Sequence, residues 1–490
     1  MKKLVLSALA VGALFAQSNN ANLEAKIKKL QNEINQLQQM VISNTKKVNP
    51  LFANSHLFFS YDLRTTFDYL HETTTSGYGY TTVTPNSDGT VTFSNMKYVP
   101  RQTYVNNIFT NRVILTGVAK PSDNLKATVQ IEANNIFGMN SEEQYSPYQN
   151  ISWVTNETPD DTNLRLKEAF FNYFFGPDQG LMFSAGRRPS TEGFPMNLVY
   201  NDPANSPLAH LVNIEFDGFS FEISNDIFSK LSDKFSDWGT WMKFCAGRGY
   251  SSSKGIWPYD GTPAYSKDRL GITDFAGFLL IPYDDGQYAL WTETIWAWDL
   301  KGYNFVSKTD AKNAAQGKAF SAQMDNLGDF FGENIDFKAV GIGNTNSDFL
   351  NNTTAFIDFA FTKTMPYSGK QMQGSTKSKT GASIWIGAQM PGIGDNDTWG
   401  INYVHGTKYF RPLTYAEDTL AGSIAAVRGN AYDIYYNRQI IPHLTAGLRA
   451  TYLNYNAAGS NGFFGLSSNP KNPFYVNRAY DIRAYIRYQF

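Results

Sequence analysis

The most constraining feature of this sequence is a period of two that runs through unusually long segments. Between residues 57 and 69 the odd positions are apolar or aromatic except for Thr65, and the even positions from 60 onward are polar. Similar alternation marks residues 125–132, 355–361 and 482–490. Because successive side chains of a β-strand point to opposite faces of the sheet, these segments predict long strands with one apolar and one polar face.

The length of these strands points to a membrane. Strands of about ten residues match a tilted membrane crossing, whereas strands of globular sheets usually have about five or six residues. Aromatic residues near segment ends, such as Tyr61 with Tyr69 and Tyr452 with Tyr455, are typical of the girdles at bilayer surfaces. A mean hydropathy of −0.36 is too polar for a bundle of membrane helices. We therefore predict an all-β protein, a transmembrane antiparallel β-barrel; a soluble sandwich, which also alternates, is the alternative.

Short and long connections alternate along the chain, as the turns and outer loops of barrels do. The long, polar ones are expected outside the cell and cover residues 71–101, 138–163, 250–270, 301–334, 366–380 and 456–476. About 440 residues follow the N-terminal region, and at roughly 24–28 residues per strand they give 16 or 18 strands, the even number typical of bacterial barrels. The predicted barrel domain is 55–490.

The N-terminus predicts export. Lys2 and Lys3 precede an apolar run that ends at Ala16 and is shorter than the about 20 residues of a spanning helix. Residues 1–18 are therefore predicted to be a signal peptide, with its cleavage site left open. The single cysteine, Cys245, excludes an internal disulfide. With 42 basic and 43 acidic residues, the net charge of −1 argues against binding to nucleic acid.

A heptad pattern follows the signal and predicts a short periplasmic α-helical coiled coil over residues 22–48. Its apolar seam is spaced 4, 3, 4, 3, 4 and consists of Leu23, Ile27, Leu30, Ile34, Leu37 and Val41. Such a narrow stripe favours packing against copies of itself, with docking on its own barrel as the alternative. Ile at the a positions of the heptad with Leu at the d positions favours dimers.

Catalytic and metal-binding patterns are not found in the sequence. The five histidines are not spaced as metal ligands, no GxSxG element occurs, and no Ser and His form a recognisable catalytic arrangement. Acidic loop residues such as Asp395 and Asp397 could chelate Ca²⁺, but the rest of a calcium loop is missing, so solvated acids are favoured. We predict no enzyme activity, no metal and no cofactor.

Charged residues on the strands are expected to line the lumen. A charge on the lipid face costs about 2–4 kcal/mol at the bilayer midplane, which favours the inward orientation. The inner wall is predicted to include Asp62, Arg64, Asp68, Arg483 and Arg487. The Pro-rich stretch 188–212 is a candidate for folding into the lumen, or else for packing on the rim. If it folds inward, the constriction is predicted to consist of Arg165, Lys167, Arg187, Arg188, Glu192 and Asp202.

Several segments resemble a known family. Leu164–Phe171 (LRLKEAFF) and above all Ala185–Pro195 (AGRRPSTEGFP) are similar to a campylobacterial family of porin-like outer-membrane proteins that is labelled as a domain of unknown function. The resemblance runs along nearly the whole chain. It implies a barrel in the outer-membrane lipid, and analogy with porins that carry a periplasmic coiled coil suggests a trimer. Phe490 resembles the C-terminal signal that the barrel-assembly machinery reads.

The sequence thus favours a porin for passive diffusion of ions and small polar solutes through a water-filled barrel. The alternative is a structural or adhesive surface protein whose barrel is plugged. The solute, the ion selectivity and the pore size stay open. The choice between the dimer that the heptads favour and the trimer that the analogy suggests also stays open.

Overall fold

The computed structural model describes residues 57–87, 90–137, 164–205, 208–251, 271–343, 346–414, 417–460 and 464–490. The predicted signal peptide and coiled coil lie outside these residues. Within these residues there are four short α-helices: α1 (Asn225–Ser229), α2 (Asp233–Trp238), α3 (Lys308–Ala315) and α4 (Asp348–Asn351). Single 3₁₀ turns cover Pro177–Gln179, Met196–Tyr200 and Leu466–Ser468. In the described part of the chain, no helix has the length and apolarity needed to cross a bilayer.

Strands dominate the described residues. In chain order they are β1 (Leu57–Thr74), β2 (Gly77–Pro85), β3 (Val91–Val99), β4 (Thr103–Ser122), β5 (Leu125–Ile136), β6 (Arg165–Phe175), β7 (Leu181–Arg187), β8 (Val212–Asn213), β9 (Asp217–Ile223), β10 (Trp241–Ser251), β11 (Gly271–Asp284), β12 (Tyr288–Phe305), β13 (Phe320–Val340), β14 (Thr354–Pro366), β15 (Lys379–Pro391), β16 (Thr398–Gly406), β17 (Leu413–Thr414), β18 (Gly429–Ile441), β19 (Leu444–Tyr455) and β20 (Val476–Gln489).

Sixteen strands close into one antiparallel barrel, which confirms the predicted fold and one of its two predicted strand numbers. The ring contains every strand except β2, β3, β8 and β17, and it closes where β20 pairs with β1. At this seam Tyr61 and Phe490 exchange backbone hydrogen bonds of 2.9 and 3.0 Å. The hairpin of β2 and β3 extends beyond the ring, and β3 also pairs with β13.

The alternation of the sequence matches the two faces of the wall. On β20, Arg483 and Tyr485 are buried, whereas Ile482 and Ile486, which flank them, are about half exposed. On β1, Thr66 and Asp68 are buried while Leu63 is exposed. Because neighbouring residues of a strand face opposite ways, the charged set points into the barrel and the aliphatic set points out.

Two loops fold into the lumen. The first, the 188–216 loop, connects β7 to β9, and the second, the 407–428 loop, connects β16 to β18. They join through β8 and β17, which pair in parallel, and through a hydrogen bond from Leu413 N to Leu211 O. Inward folding of the first loop is what the Pro-rich stretch suggested, whereas the second loop has no counterpart in the sequence-based expectations.

The loops share an apolar cluster with the inner wall. Phe194, Leu208 and Ile424 from the loops are at most 4% exposed and pack with side chains from eight strands of the ring. The wall residues of this cluster are Leu70, Ile108, Phe356, Trp385, Val404, Ala431, Leu453, Tyr455 and Ala479. The described parts of the two loops therefore form one internal body, which we call the plug, defined as the described residues of 188–216 and 407–428.

Candidate functional site

A row of basic side chains follows the inner wall on one side of the plug. It starts on β19 and continues over β20, β1 and β4 to β6, so that most members sit on adjacent strands. None is more than 5% exposed. The row, called the basic row below, consists of Arg449, Arg483, Arg487, Arg64, Arg112 and Lys167.

The 407–428 loop meets this row through one carboxylate. Asp418 lies 2.5 Å from Nη1 of Arg64 and 2.7 Å from Nη1 of Arg483, and Arg112 lies 3.9 Å away. Burial alone would raise the pKa of Asp418, but the three guanidinium groups outweigh it and hold this pKa well below its usual range. Asp418 is therefore the point at which this loop is fixed to the basic row.

The 188–216 loop meets the row through two carboxylates. Asp202 pairs with Nη1 of Arg487 at 2.7 Å. Glu192 lies 3.6 Å from Arg112 and 3.8 Å from Lys167. Burial raises the pKa of Glu192, but these two cations and Arg487 outweigh it and lower this pKa overall, whereas burial dominates at Asp202 and raises its pKa. Both loop acids therefore face the wall as ion-pair partners.

Tyr200 adds a neutral contact between this loop and the row. Its hydroxyl accepts a hydrogen bond of 2.8 Å from Nη1 of Arg483. Its ring lies under the guanidinium of Arg64, 4.9 Å from the ring centroid, a cation–π geometry. The left-handed Asn201, with φ of 56°, ends the short 3₁₀ turn and turns the chain toward Asp202.

The wall supplies its own acids to the same cations. Asp62 binds Arg487 at 2.5 Å and Arg112 at 3.2 Å. The other wall-to-wall pairs are Asp68 with Arg483 at 2.6 Å, Asp433 with Arg449 at 2.7 Å and Glu132 with Lys167 at 3.0 Å. Arg487, Arg112, Arg483 and Lys167 thus each hold a wall carboxylate and a plug carboxylate together, so the charges fix the plug to the wall.

The structure brings only part of the predicted constriction together. Lys167, Glu192 and Asp202 belong to the array, and the predicted wall residues Asp62, Arg64, Asp68, Arg483 and Arg487 also join it. Arg165 lies at the start of β6, opposite Glu132 in the strand register. Arg188 is buried at the start of the plug, where it lies 3.8 Å from the sulfur of Cys245 and lines a cavity of about 40 Å³.

Arg187 does not face the lumen. On β7 the buried Met182 and Ser184 mark the inner face, and Arg187 has the opposite parity. It makes a bidentate pair with Asp217 of 2.9 and 3.2 Å and donates to the carbonyl of Leu166. This corrects the expectation that both arginines of the Arg-Arg pair line the constriction, because consecutive strand residues point to opposite faces.

The placement of Arg187 leads to a prediction about ion selectivity. Arg487→Gln should shift the reversal potential toward cations, because it removes a cation from beside Asp62 and Asp202 in the lumen. Arg187→Gln, the matched control, should leave the reversal potential unchanged, since its charge lies outside the barrel. Bilayer recordings under a KCl gradient measure both, and equal shifts would contradict this assignment.

A second polar contact fixes the plug on its far side. Nδ1 of His210 lies 2.6 Å from a carboxylate oxygen of Asp358 on β14, and Nε2 lies 2.8 Å from the hydroxyl of Ser383 on β15. His210 and Asp358 are fully buried. The order Ser-His-Asp is that of hydrolytic triads, and sequence reasoning missed it because the partners are more than 140 residues apart. Because the 188–216 loop covers Ser383, a substrate could reach the Ser383 hydroxyl only if this loop moved. That movement would carry His210 away from Ser383.

The family comparison fixes the affiliation. A family model described as a protein of unknown function, DUF3373, matches residues 102–490. The chain belongs to this family. The match covers every strand from β4 to β20, including both plug loops. No curated protein matches the sequence.

Three solved structures illustrate the resemblance in shape. The high-pH structure of Pseudomonas putida OprB has a TM-score of 0.47 at 10% identity, covering 90% of this chain and 96% of that chain. An anion-selective porin from Comamonas acidovorans has a TM-score of 0.43 at 11% identity, covering 89% and 100%. OmpT, an outer-membrane protein of Vibrio cholerae, has a TM-score of 0.42 at 11% identity, covering 89% and 97%. The barrel of this chain is defined by its own strand pairing.

Proposed function

We propose that this DUF3373 protein is a non-catalytic outer-membrane channel of the porin type, which passes ions and small polar solutes through a lumen narrowed by the plug. The observation that carries the proposal is the array of buried charges between the basic row and the plug. Replacing buried ion pairs by well-packed apolar residues is often neutral or stabilising. A plug that served only as a permanent stopper would therefore not need this array, whereas a passage for ions does.

The outer face of the barrel supports the membrane location. Leu448, Ile401 and Ile482 are exposed there by half or more. The rings of Tyr403, Tyr432 and Tyr452 form a cluster with centroids 5.3 and 6.2 Å apart. Tyr61 and Tyr488 form another at the seam, 5.6 Å apart. Exposed aliphatic residues between aromatic clusters are typical of barrels in the outer membrane. We propose that the C-terminal signal at Phe490 directs assembly of this barrel there.

The second candidate is a plugged structural or adhesive surface protein. The apolar cluster between the plug and the wall favours it, because water-filled pores are lined by polar side chains. Planar-bilayer recording of the purified full chain separates the two. Stepwise ohmic conductance supports the channel, while a correctly folded and silent barrel contradicts it and leaves the plugged surface protein.

Glu417 makes the channel proposal testable through pH. Burial raises the pKa of this plug carboxyl to about 7, although the N–H groups of Ile424 and Ala425 point at it. A raised pKa in the folded protein means that the protonated form stabilises the seated loop. This stabilisation is lost as the pH rises through about 7. Conductance should therefore increase between pH 5.5 and 8.5, and Glu417→Gln should remove this increase; a Gln variant with the same pH profile would contradict the assignment.

The N-terminal helix is proposed to lie in the periplasm and to join subunits. Replacing Ile27, Leu30 and Ile34 with Asp should place charges in the seam and convert the oligomer, a trimer in our proposal, to monomers on native gels. Asp at Lys28, Asn32 and Asn35 is the matched control, because these positions lie outside the seam. If the seam variant crosslinks like the wild type, the helix docks on its own barrel instead.

A further inference from the structure

Two carboxylates face each other on the wall, away from the basic row. Asp336 on β13 and Asp358 on β14 are directly opposite in the strand register, and both are fully buried. Like charges directly opposite on neighbouring strands destabilise a sheet. Their burial inside the barrel removes the water that would screen them. The pair therefore requires a compensating charge.

The protein atoms around the pair compensate only one of its members. Asp358 is bound by His210 at 2.6 Å and by Nδ2 of Asn334 at 2.8 Å. Neither carboxylate oxygen of Asp336 has a hydrogen-bond partner among the described residues, and the same holds for Oδ1 of Asn334. Asn334 is also fully buried. Three oxygen acceptors thus lie beside Asp358 without a donor.

The neighbouring strand face adds negative charge. Glu293 on β12 lies directly opposite Asn334 and is 5% exposed, and its Oε2 has no partner among the described residues either. Lys338 follows Asp336 by two residues on β13. Its ammonium group lies over the ring of Trp291, 4.0 Å from the ring centroid. Three carboxylates therefore share one lysine and one histidine.

We propose that Asp336, Asp358 and Asn334 bind a calcium ion. The ligand atoms are all oxygens. Ca²⁺ binds carboxylates and amide carbonyls in a flexible coordination geometry that water can complete. The protein supplies two carboxylates and one amide oxygen, a set that differs from a group of three His, Cys, Asp or Glu side chains, of which the described chain has none. The ion also fixes Asp358, which holds His210 and with it the 188–216 loop.

The experiment measures ion binding by the purified full chain in detergent. Equilibrium dialysis with ⁴⁵Ca²⁺ should give one saturable site per chain, and Asp336→Asn should weaken binding at least tenfold. Asp325→Asn, on the same strand but paired with Lys370, is the control and should bind like the wild type. Tb³⁺ provides a second readout, because Trp385 lies opposite Asp358 in the register and can sensitise its emission. Trp291 lies opposite Asp336 in the register and can sensitise the emission as well, so Trp385→Phe combined with Trp291→Phe should lose that emission and keep ⁴⁵Ca²⁺ binding.

Two results overturn the proposal. One is the absence of a saturable ⁴⁵Ca²⁺ site in the wild-type chain, which is the outcome expected if the two carboxylates share a proton. The other is equal binding by wild type and by folded Asp336→Asn, which means that Ca²⁺ sits on surface acids. Heat-modifiable gel mobility verifies that each barrel is folded. If the Asp336 variant fails to fold, the Tb³⁺ emission of the wild type and its loss in the double tryptophan variant decide instead. Conductance is not among these readouts, so failure of the channel proposal leaves this test intact.

Discussion

Replacing Asp418 with Asn should raise the single-channel conductance several-fold and shift the selectivity toward anions. The substitution leaves Arg64 and Arg483 without their carboxylate on the plug, at 2.5 and 2.7 Å in the wild type. Removing one partner of a buried ion pair costs about 3–5 kcal/mol, and here the cost falls on the seated position of the 407–428 loop. We expect the loop to leave the wall and expose a passage lined by arginines. Planar-bilayer recording in a KCl gradient measures both effects.

Glu132→Gln is the matched control for this prediction. It breaks a pair that is even more deeply buried, with Lys167 at 3.0 Å, but that pair joins β5 to β6 and does not reach the 407–428 loop. We expect it to lower the thermal stability of the barrel while conductance and selectivity stay close to the wild type. If Asp418→Asn conducts like the wild type although the barrel is folded, the plug is held mainly by its apolar cluster.

The barrel was predictable because its signal is local. Alternation along one segment, as at residues 57–69, already specifies a strand and its two faces. The inward orientation of Arg64, Asp68, Arg483 and Arg487 follows from that parity. The same rule could not place Arg187, because Leu181–Arg187 has apolar or small residues on both faces and its parity is visible only from the burial of Ser184.

The second half of the plug was not predictable from periodicity. Asp418 meets Arg64, which is more than 350 residues away in the sequence, and no local pattern encodes such a contact. One signal was present: residues 420–427 (LAGSIAAV) are small or apolar, which an outer loop in water does not need. In the structure this segment is buried throughout, so an apolar run between two strands is a useful indicator of an inward loop.

Replacing His210 with Leu should release the 188–216 loop from the far wall. The side chain keeps a similar size, but Asp358 loses its 2.6 Å partner and Ser383 its 2.8 Å partner. Loss of the contact to a buried carboxylate is expected to cost about 3–5 kcal/mol, compared with about 1 kcal/mol for the neutral hydrogen bond that Ser383→Ala removes. Amide hydrogen exchange in residues 208–214 should therefore rise at least tenfold in His210→Leu and much less in Ser383→Ala.

Comparison of the His210→Leu and Ser383→Ala variants also shows whether His210 is a structural clasp or part of a catalytic triad. In a triad the serine is the nucleophile, so Ser383→Ala would abolish activity and a fluorophosphonate would label Ser383 in the wild type. We expect no labelling, because His210 sits on the loop that covers Ser383, and movement of the loop separates the two residues. Labelling of Ser383, or equal hydrogen exchange in the two variants, would contradict the role of His210 as the clasp that holds the plug against β14 and β15.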